Sequence, residues 1–386
     1  MSLQELRETR VRTQDNVGDD GVLQADIPAL NSLAVRSLAT LFDEKEQLFS
    51  ERATLHMNAF RRGKASRRHT IVALLGLHRL AESGGAQPFD IEAIQNVVFR
   101  DRSWVKTAGH LGLLTWFTAV CLPERLGTIF EEFDFERVLV RYKDARQGRT
   151  AGLAWFLAGI AHARLARPEA LPDLTDVAAD SYRLLEENQG QDGIFGHAAS
   201  VRFPRETLNS RFGTFSDQIF AIYALSMFSR AFHIEEPLES ALACANSICA
   251  LQGQLGQWWF LYDKCTGRVV SRYPVLSMHQ DGTAPCGLLA LEEATGRSFQ
   301  RAIAKGLSWM AGANELRNEL RNNDQAFIWD SIGPAGRVTK YLEAGLGFLR
   351  PARETTVDRL KIQYDARPDH FGWLLYAFGK FGLPTA

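Results

Sequence analysis

The densest group of side chains able to move a proton lies between Tyr273 and Pro285, where His279 and Asp281 stand two residues apart beside Ser277 and Thr283. Prolines and a glycine bracket this stretch, so it reads as a non-helical segment opening a helix, a common base from which polar groups project. Asp281 is a candidate general acid or base, with His279 as its partner or as a hydrogen-bond donor to substrate. The competing reading is structural: Asp281 and Thr283 cap the next helix and His279 binds a backbone carbonyl. Asp217 opens another apolar helix and is the candidate second carboxylate. Cleavage of a glycoside commonly needs two such groups ~5–10 Å apart, whereas a first-turn Asp also stabilises a helix dipole.

Aromatic residues surround these acids. Trp258, Trp259 and Tyr262 cluster next to Asp263, and Tyr273 follows closely. Such rings stack on sugar faces or on isoprenoid chains, or they fill a core. Asp192 lies in a glycine-rich turn near His197, and Trp329 with Asp330 precedes the last helix. These are further candidates for contacting substrate at a cleft mouth, each with a cap or a packing role as the alternative. His279, Asp281 and Cys286 are close in sequence but lack the paired spacing of a zinc motif, so no metal and no cofactor is expected. The basic run from Arg61 to His69 reads as a solvated loop between helices. P-loop, GxGxxG, HExxH and GxSxG patterns do not occur, which leaves nucleotide, zincin and α/β-hydrolase chemistries without support.

The elements that must position these residues are helical. Apolar stretches suited to helices fall at 30–43, 70–82, 108–120, 151–164, 173–187, 215–233, 238–252, 285–294, 299–312 and 371–381. Strand-like alternation is confined to Arg268–Tyr273. Residues 1–25 are charged, without a sustained apolar period, and read as a mobile arm. Residues 26–386 then form a single all-α domain.

Two connections repeat. Gln189, Gly193 and Phe195 follow one helix, and Gln252, Gly256 and Trp258 follow another 63 residues later (189 to 252). Phe327-Ile328-Trp329 is a weaker third echo. Helix, glycine turn and inserted aromatic suggest one hairpin used about six times, the arrangement a closed ring requires. The Gln–Gly–Trp spacing resembles the QW motif of the terpenoid cyclase and protein prenyltransferase superfamily. This resemblance implies an α/α toroid, an architecture that six-hairpin glycosidases, sugar epimerases and polysaccharide lyases also have. The DxDD acid motif and the DDxxD magnesium motif of terpenoid enzymes are both absent from the chain.

Composition narrows the rest. The chain has 386 residues, 46% of them hydrophobic, and a net charge of −1 from 44 basic and 45 acidic residues. That balance argues against a nucleic-acid binder, which usually carries a basic excess. Five cysteines without a CxxC pair fit a reducing compartment. Without a signal-like or eighteen-residue apolar run, the expected setting is cytoplasmic, with no integral membrane segment. The leading expectation is a carbohydrate-active enzyme acting on a glycan by acid–base chemistry in the centre of the ring, with hydrolysis, elimination and epimerisation all open. A cyclase-like enzyme with a non-standard acid and a non-catalytic binding or scaffold protein are the alternatives.

Overall fold

The computed structural model describes residues 19–56, 59–144, 149–168, 173–198, 210–334 and 357–382. Its helices alternate between an outer and an inner ring. The outer helices are α1 (Asp19–Leu41), α3 (Ile91–Arg100), the pair α5 (Leu126–Glu132) and α6 (Phe135–Asp144), α8 (Thr175–Glu187), α10 (Glu236–Ala250) and α12 (Gln300–Met310). The inner helices are α2 (Arg67–Glu82), α4 (Ala108–Cys121), α7 (Thr150–Ala166), α9 (Phe215–Phe232), α11 (Ala284–Thr295) and α13 (Pro368–Phe378). Each inner helix packs on the next, and α13 closes the circle against α2. The protein is therefore an α/α toroid, with six hairpins among the described residues.

Residue type separates the two rings. Helix α4 buries Ala108, Gly109 and everything from Leu111 to Ala119, as a helix surrounded on all sides must. Helix α12 instead buries only Ile303, Gly306, Trp309 and Met310 along one stripe. Glycines let inner backbones touch. A Cβ on Gly112 would lie 2.3 Å from the Phe156 Cα, and one on Gly159 would lie 2.3 Å from the Gly112 carbonyl oxygen. Gly109 meets Gly152 near the start of the same pair, while Gly372 meets Val72 and Gly379 meets Leu80 on the other side. These contacts advance in step along both chains, so the paired inner helices run parallel. The ring consequently has an N-terminal mouth and a C-terminal mouth.

Short sheets decorate the N-terminal mouth, in the connections that lead into inner helices. Strands 53–56, 59–62 and 365–366 form one, strands 212–214, 261–263 and 268–271 a second, and strands 275–276, 331–334 and 360–363 a third. The strand expected at Arg268–Tyr273 is Arg268–Ser271. Helices α3, α5 and α6 were not expected, because their exposed faces are polar enough to hide the apolar period. Helix α1 begins at Asp19, inside the stretch read as an arm, and residues 1–18 lie outside the described residues. No helix among the described residues is long and apolar enough to cross a membrane.

The repeated turn is an inter-hairpin staple. The Gln189 amide donates to the Gly193 carbonyl of its own turn at 2.9 Å and to Ser240 of the next outer helix at 2.8 Å. Gln252 repeats this with Gly256 and Ala302, both at 3.0 Å. Gly193 and Gly256 have φ of 79° and 98°, which glycine adopts without steric cost. Phe195 and Trp258 are fully buried beneath. In the third connection the Asn314 amide takes the place of the glutamine and donates to Trp309 and Asn318.

Candidate active site

The N-terminal mouth collects the first turns of the inner helices and the residues just before them. Asp217 stands in the first turn of α9. It completes a capping box with Thr214, and its carboxylate is fully buried. Oδ1 accepts from the Ala151 amide at 3.1 Å, while Oδ2 accepts from the Thr214 amide at 2.8 Å and its hydroxyl at 2.7 Å. Oδ2 also meets His197 Nδ1 at 2.9 Å. Both oxygens are thus engaged, and Asp217 has no route to a substrate.

His197 is the residue that this carboxylate serves. Its backbone is pinned on two sides: its carbonyl accepts from the Thr150 amide at 2.8 Å, and its amide donates to Phe212 at 2.9 Å. The side chain remains 31% exposed. The hydrogen bond with Asp217 raises its pKa above the ordinary imidazole value, against the opposing effect of burial. A buried carboxylate that binds Nδ1 fixes the tautomer and leaves Nε2 available. In the sequence His197 is marked only by its nearness to Asp192. The pairing is long-range: His197 lies 20 residues before Asp217 in the sequence.

Asp281 and His279 do not form the expected pair. The segment 279–283 makes a π-helical turn ahead of α11, and all of it is buried. Asp281 Oδ1 meets His370 Nε2 from α13 at 2.6 Å, while Oδ2 is buried with no partner among the described residues. Burial works against a charge on His370, yet Asp281, Asp330 and Asp369 together raise its pKa. His279 bonds the Thr283 hydroxyl through Nδ1 at 3.0 Å and packs on the Phe215 ring. Burial, with the nearby His370 charge, lowers its pKa to about 3, so it stays neutral. Neither expected carboxylate therefore reaches open space, and two-carboxylate cleavage by Asp217 and Asp281 has no geometry here.

The expected aromatic subsites also belong to the frame. Trp258 and Tyr262 are fully buried. Trp259 is half-buried, edge-on to Tyr273 and covered by Arg272. The Tyr273 hydroxyl donates to Glu315 at 2.8 Å. Trp329 packs among Phe60, Phe327 and Tyr364, and Asp330 pairs with Arg367 at 3.2 Å. Asp192 is exposed in the stapled turn, with its carboxylate against Gly267. Among the described residues no three His, Cys, Asp or Glu side chains converge on a metal position, so His279, Asp281 and Cys286 make no zinc site.

The axis of the ring carries the aromatic residues that matter. Trp155 on α7 meets Phe220 on α9 at 5.2 Å and Trp373 on α13 at 6.5 Å. One layer deeper, Trp116 stacks on Tyr223 at 4.7 Å and on His162 at 5.0 Å. Trp155, Phe220 and Trp373 each lie five residues from the start of their helices, and Trp116, Tyr223 and Tyr376 lie eight. Three residues of helix rise make roughly 4.5 Å, about one ring thickness. Two aromatic tiers therefore close the axis, and half-buried Trp155 belongs to the tier nearer the His197 mouth.

Neither a protein-family model nor a curated protein matches the sequence significantly. Solved structures do match in fold. A sugar epimerase from a ruminal bacterium aligns over 93% of this chain and 100% of its own, with a TM-score of 0.60 and 9% identity. Cellobiose 2-epimerase from Bacillus thermoamylovorans aligns over 91% and 98%, with a TM-score of 0.59 and 10% identity. An unsaturated glucuronyl hydrolase specific for heparin aligns over 94% and 97%, with a TM-score of 0.58 and 13% identity. At these identities the likeness is one of fold, and it agrees with an α/α toroid.

Proposed function

We propose that this protein is a carbohydrate-active enzyme that moves a proton on a sugar substrate at the N-terminal mouth, with His197 as acid–base group. The carrying observation is the Asp217–His197 pair: a fully buried carboxylate at 2.9 Å from Nδ1 of a partly exposed imidazole. Neutral His197 would take a proton through Nε2, and Asp217 would stabilise the imidazolium that forms. Trp155 would support the sugar ring from below. Sugar epimerases and glucuronyl hydrolases among the neighbours of this fold agree with a sugar substrate by analogy alone. Proton transfer beside a carbonyl fits a lone imidazole better than glycoside cleavage, which commonly needs two reachable carboxylates.

The test is solvent exchange. Cellobiose and an unsaturated uronic disaccharide are incubated with the protein in deuterium oxide, and label at the carbon beside the carbonyl, or loss of the double bond, is followed. Turnover that falls by roughly 10²–10⁴-fold in His197→Asn supports the assignment, and full turnover in that variant sinks it. A second reading, sugar binding without reaction, is favoured by the closed axis and by acids already engaged, as Asp217 is in its cap and Asp330 with Arg367. It predicts ligand-induced thermal stabilisation with no exchange in any sugar tested.

A further inference from the structure

The C-terminal mouth holds a cleft of about 620 Å³, within the usual range for small-molecule sites. The aromatic tiers of Trp155 and Trp116 separate it from His197. Its floor is polar. The Trp116 indole donates to the Tyr376 hydroxyl at 3.1 Å, Tyr376 and Tyr223 hydroxyls are 2.9 Å apart, and Tyr223 is 2.8 Å from His162 Nε2. Burial keeps His162 neutral, with its pKa lowered to about 3, so it contributes a hydrogen-bonding group and no charge.

Arg79 lies over the Tyr376 ring, 4.7 Å from its centre, and lines this cleft. The other ionised groups of the lining are mostly committed. Arg230 pairs with Glu293 at 2.8 Å, Glu292 accepts from Gln300 at 2.6 Å, and Glu82 lies 3.7 Å from His78. Lys380 sits over Phe381 at the rim. Arg79 has no carboxylate within ion-pair distance among the described residues. The C-terminal ends of the inner helices steady its charge, as they do for any cation in a last turn. Against burial, Tyr376, which also accepts a hydrogen bond from Arg79, favours the charged guanidinium, and no carboxylate among the described residues ties up the fork.

We propose that the C-terminal cleft is a second ligand site, which takes a small hydroxylated molecule bearing a carboxylate or phosphate group held by Arg79. A planar fork suits either oxyanion, and the Tyr223–Tyr376 floor suits the hydroxyls of a sugar acid or sugar phosphate. This inference is independent of the reaction assigned to His197.

Titration calorimetry with glucuronate, inorganic phosphate and glucose tests it, in wild type, Arg79→Gln and Ala290→Trp. Ala290 lines the cleft on α11 and contacts neither Arg79 nor His197 in any ion pair or hydrogen bond, so the indole fills the space and leaves the cation in place. Binding of glucuronate, phosphate or both, weakened roughly 10–100-fold by Arg79→Gln and blocked by Ala290→Trp, is the expected result. Glucuronate alone or phosphate alone narrows the class to carboxylates or to phosphates. Absence of binding by both anions at millimolar concentration overturns the proposal, as does equally tight glucose binding or affinity unchanged in both variants. If Arg79→Gln fails to fold, Ala290→Trp decides alone.

Discussion

Asp217 and Asp281 are both fully buried but have different fates, and the difference is set by what each can reach. Asp217 meets a histidine that is partly exposed, and Asp281 meets one that is buried. Only the first pair can deliver a proton to a bound molecule. Because Asp217 raises the His197 pKa, a reaction that uses His197 as base has an acidic limb above the ordinary imidazole range, with rate rising as pH climbs through it. Asp217→Asn retains a capping side chain, so the helix start survives while the charge is lost. The expected outcome in pH–rate profiles is a limb displaced to lower pH, with turnover near neutral pH reduced roughly tenfold or more. A limb that stays in place would leave Asp217 as a helix cap only. The candidate site was half legible in the sequence. Asp217 stands out as a first-turn acid, with stabilisation of the helix dipole as its alternative, and its place in a capping box with Thr214 comes only from the structure. His197 does not stand out, since nothing in local spacing tells which loop folds back over a helix start. Trp258 and Tyr262 misled for the converse reason: a tryptophan beside an acid looks the same in sequence whether it faces a cleft or the adjacent hairpin.

Among elements, the stapled turns and the glycine contacts between inner helices decide whether the ring assembles. Gly256 has φ of 98° and lies where a Cβ would stand 2.1 Å from the Lys305 carbonyl oxygen, whereas Gly84, with φ of 79°, has nothing within 4 Å. Gly84→Ala therefore pays only the left-handed backbone penalty, ~1–2 kcal/mol. Gly256→Ala adds a collision with backbone, which costs a further ~1–3 kcal/mol. Urea denaturation of the two variants should show the larger loss at Gly256, and equal losses would mean that the turn yields without disturbing α12. Gly112→Val makes the parallel case inside the ring, where the added side chain would separate α4 from α7, and its unfolding midpoint should drop more than that of Gly84→Ala. The turns were the legible part of the fold, because glutamine, glycine and aromatic repeat 63 residues apart (189 to 252) and each carries its own geometry. Inner helices were legible as uninterrupted apolar runs, as in Leu111–Ala119. Helices α3, α5 and α6 were not, since one buried stripe in a short polar segment such as Phe135–Asp144 leaves too few turns to establish a period.

At the scale of the whole molecule, closing the ring of helical hairpins buries polar side chains among the two aromatic tiers of its axis. His162 sits beneath Trp116, and His279 sits beside Phe215. Burial lowers both to about 3, the charge on His370 adding to the effect at His279, from an unfolded value near 6.5. Between those limits the unfolded chain binds a proton at each position and the folded ring does not, so folding stability falls as pH drops below about 6.5. His197 and His370 work the other way. Their raised values mean that the folded state holds protons that the unfolded state has released, so their stabilisation is complete below about 6.5 and is lost as pH rises through the folded values. The two pairs therefore tilt stability in opposite directions as pH changes. Urea midpoints between about pH 5 and 6.5, where most carboxylates are still ionised, isolate the acid side. The slope expected there includes one proton each from His162 and His279. His162→Gln keeps an acceptor for the Tyr223 hydroxyl but cannot take up a proton, so it should reduce that slope by one proton while leaving the slope above pH 7 unchanged. An unaltered acid slope would show that folded His162 takes up a proton as readily as the unfolded chain does, so that burial does not hold it neutral.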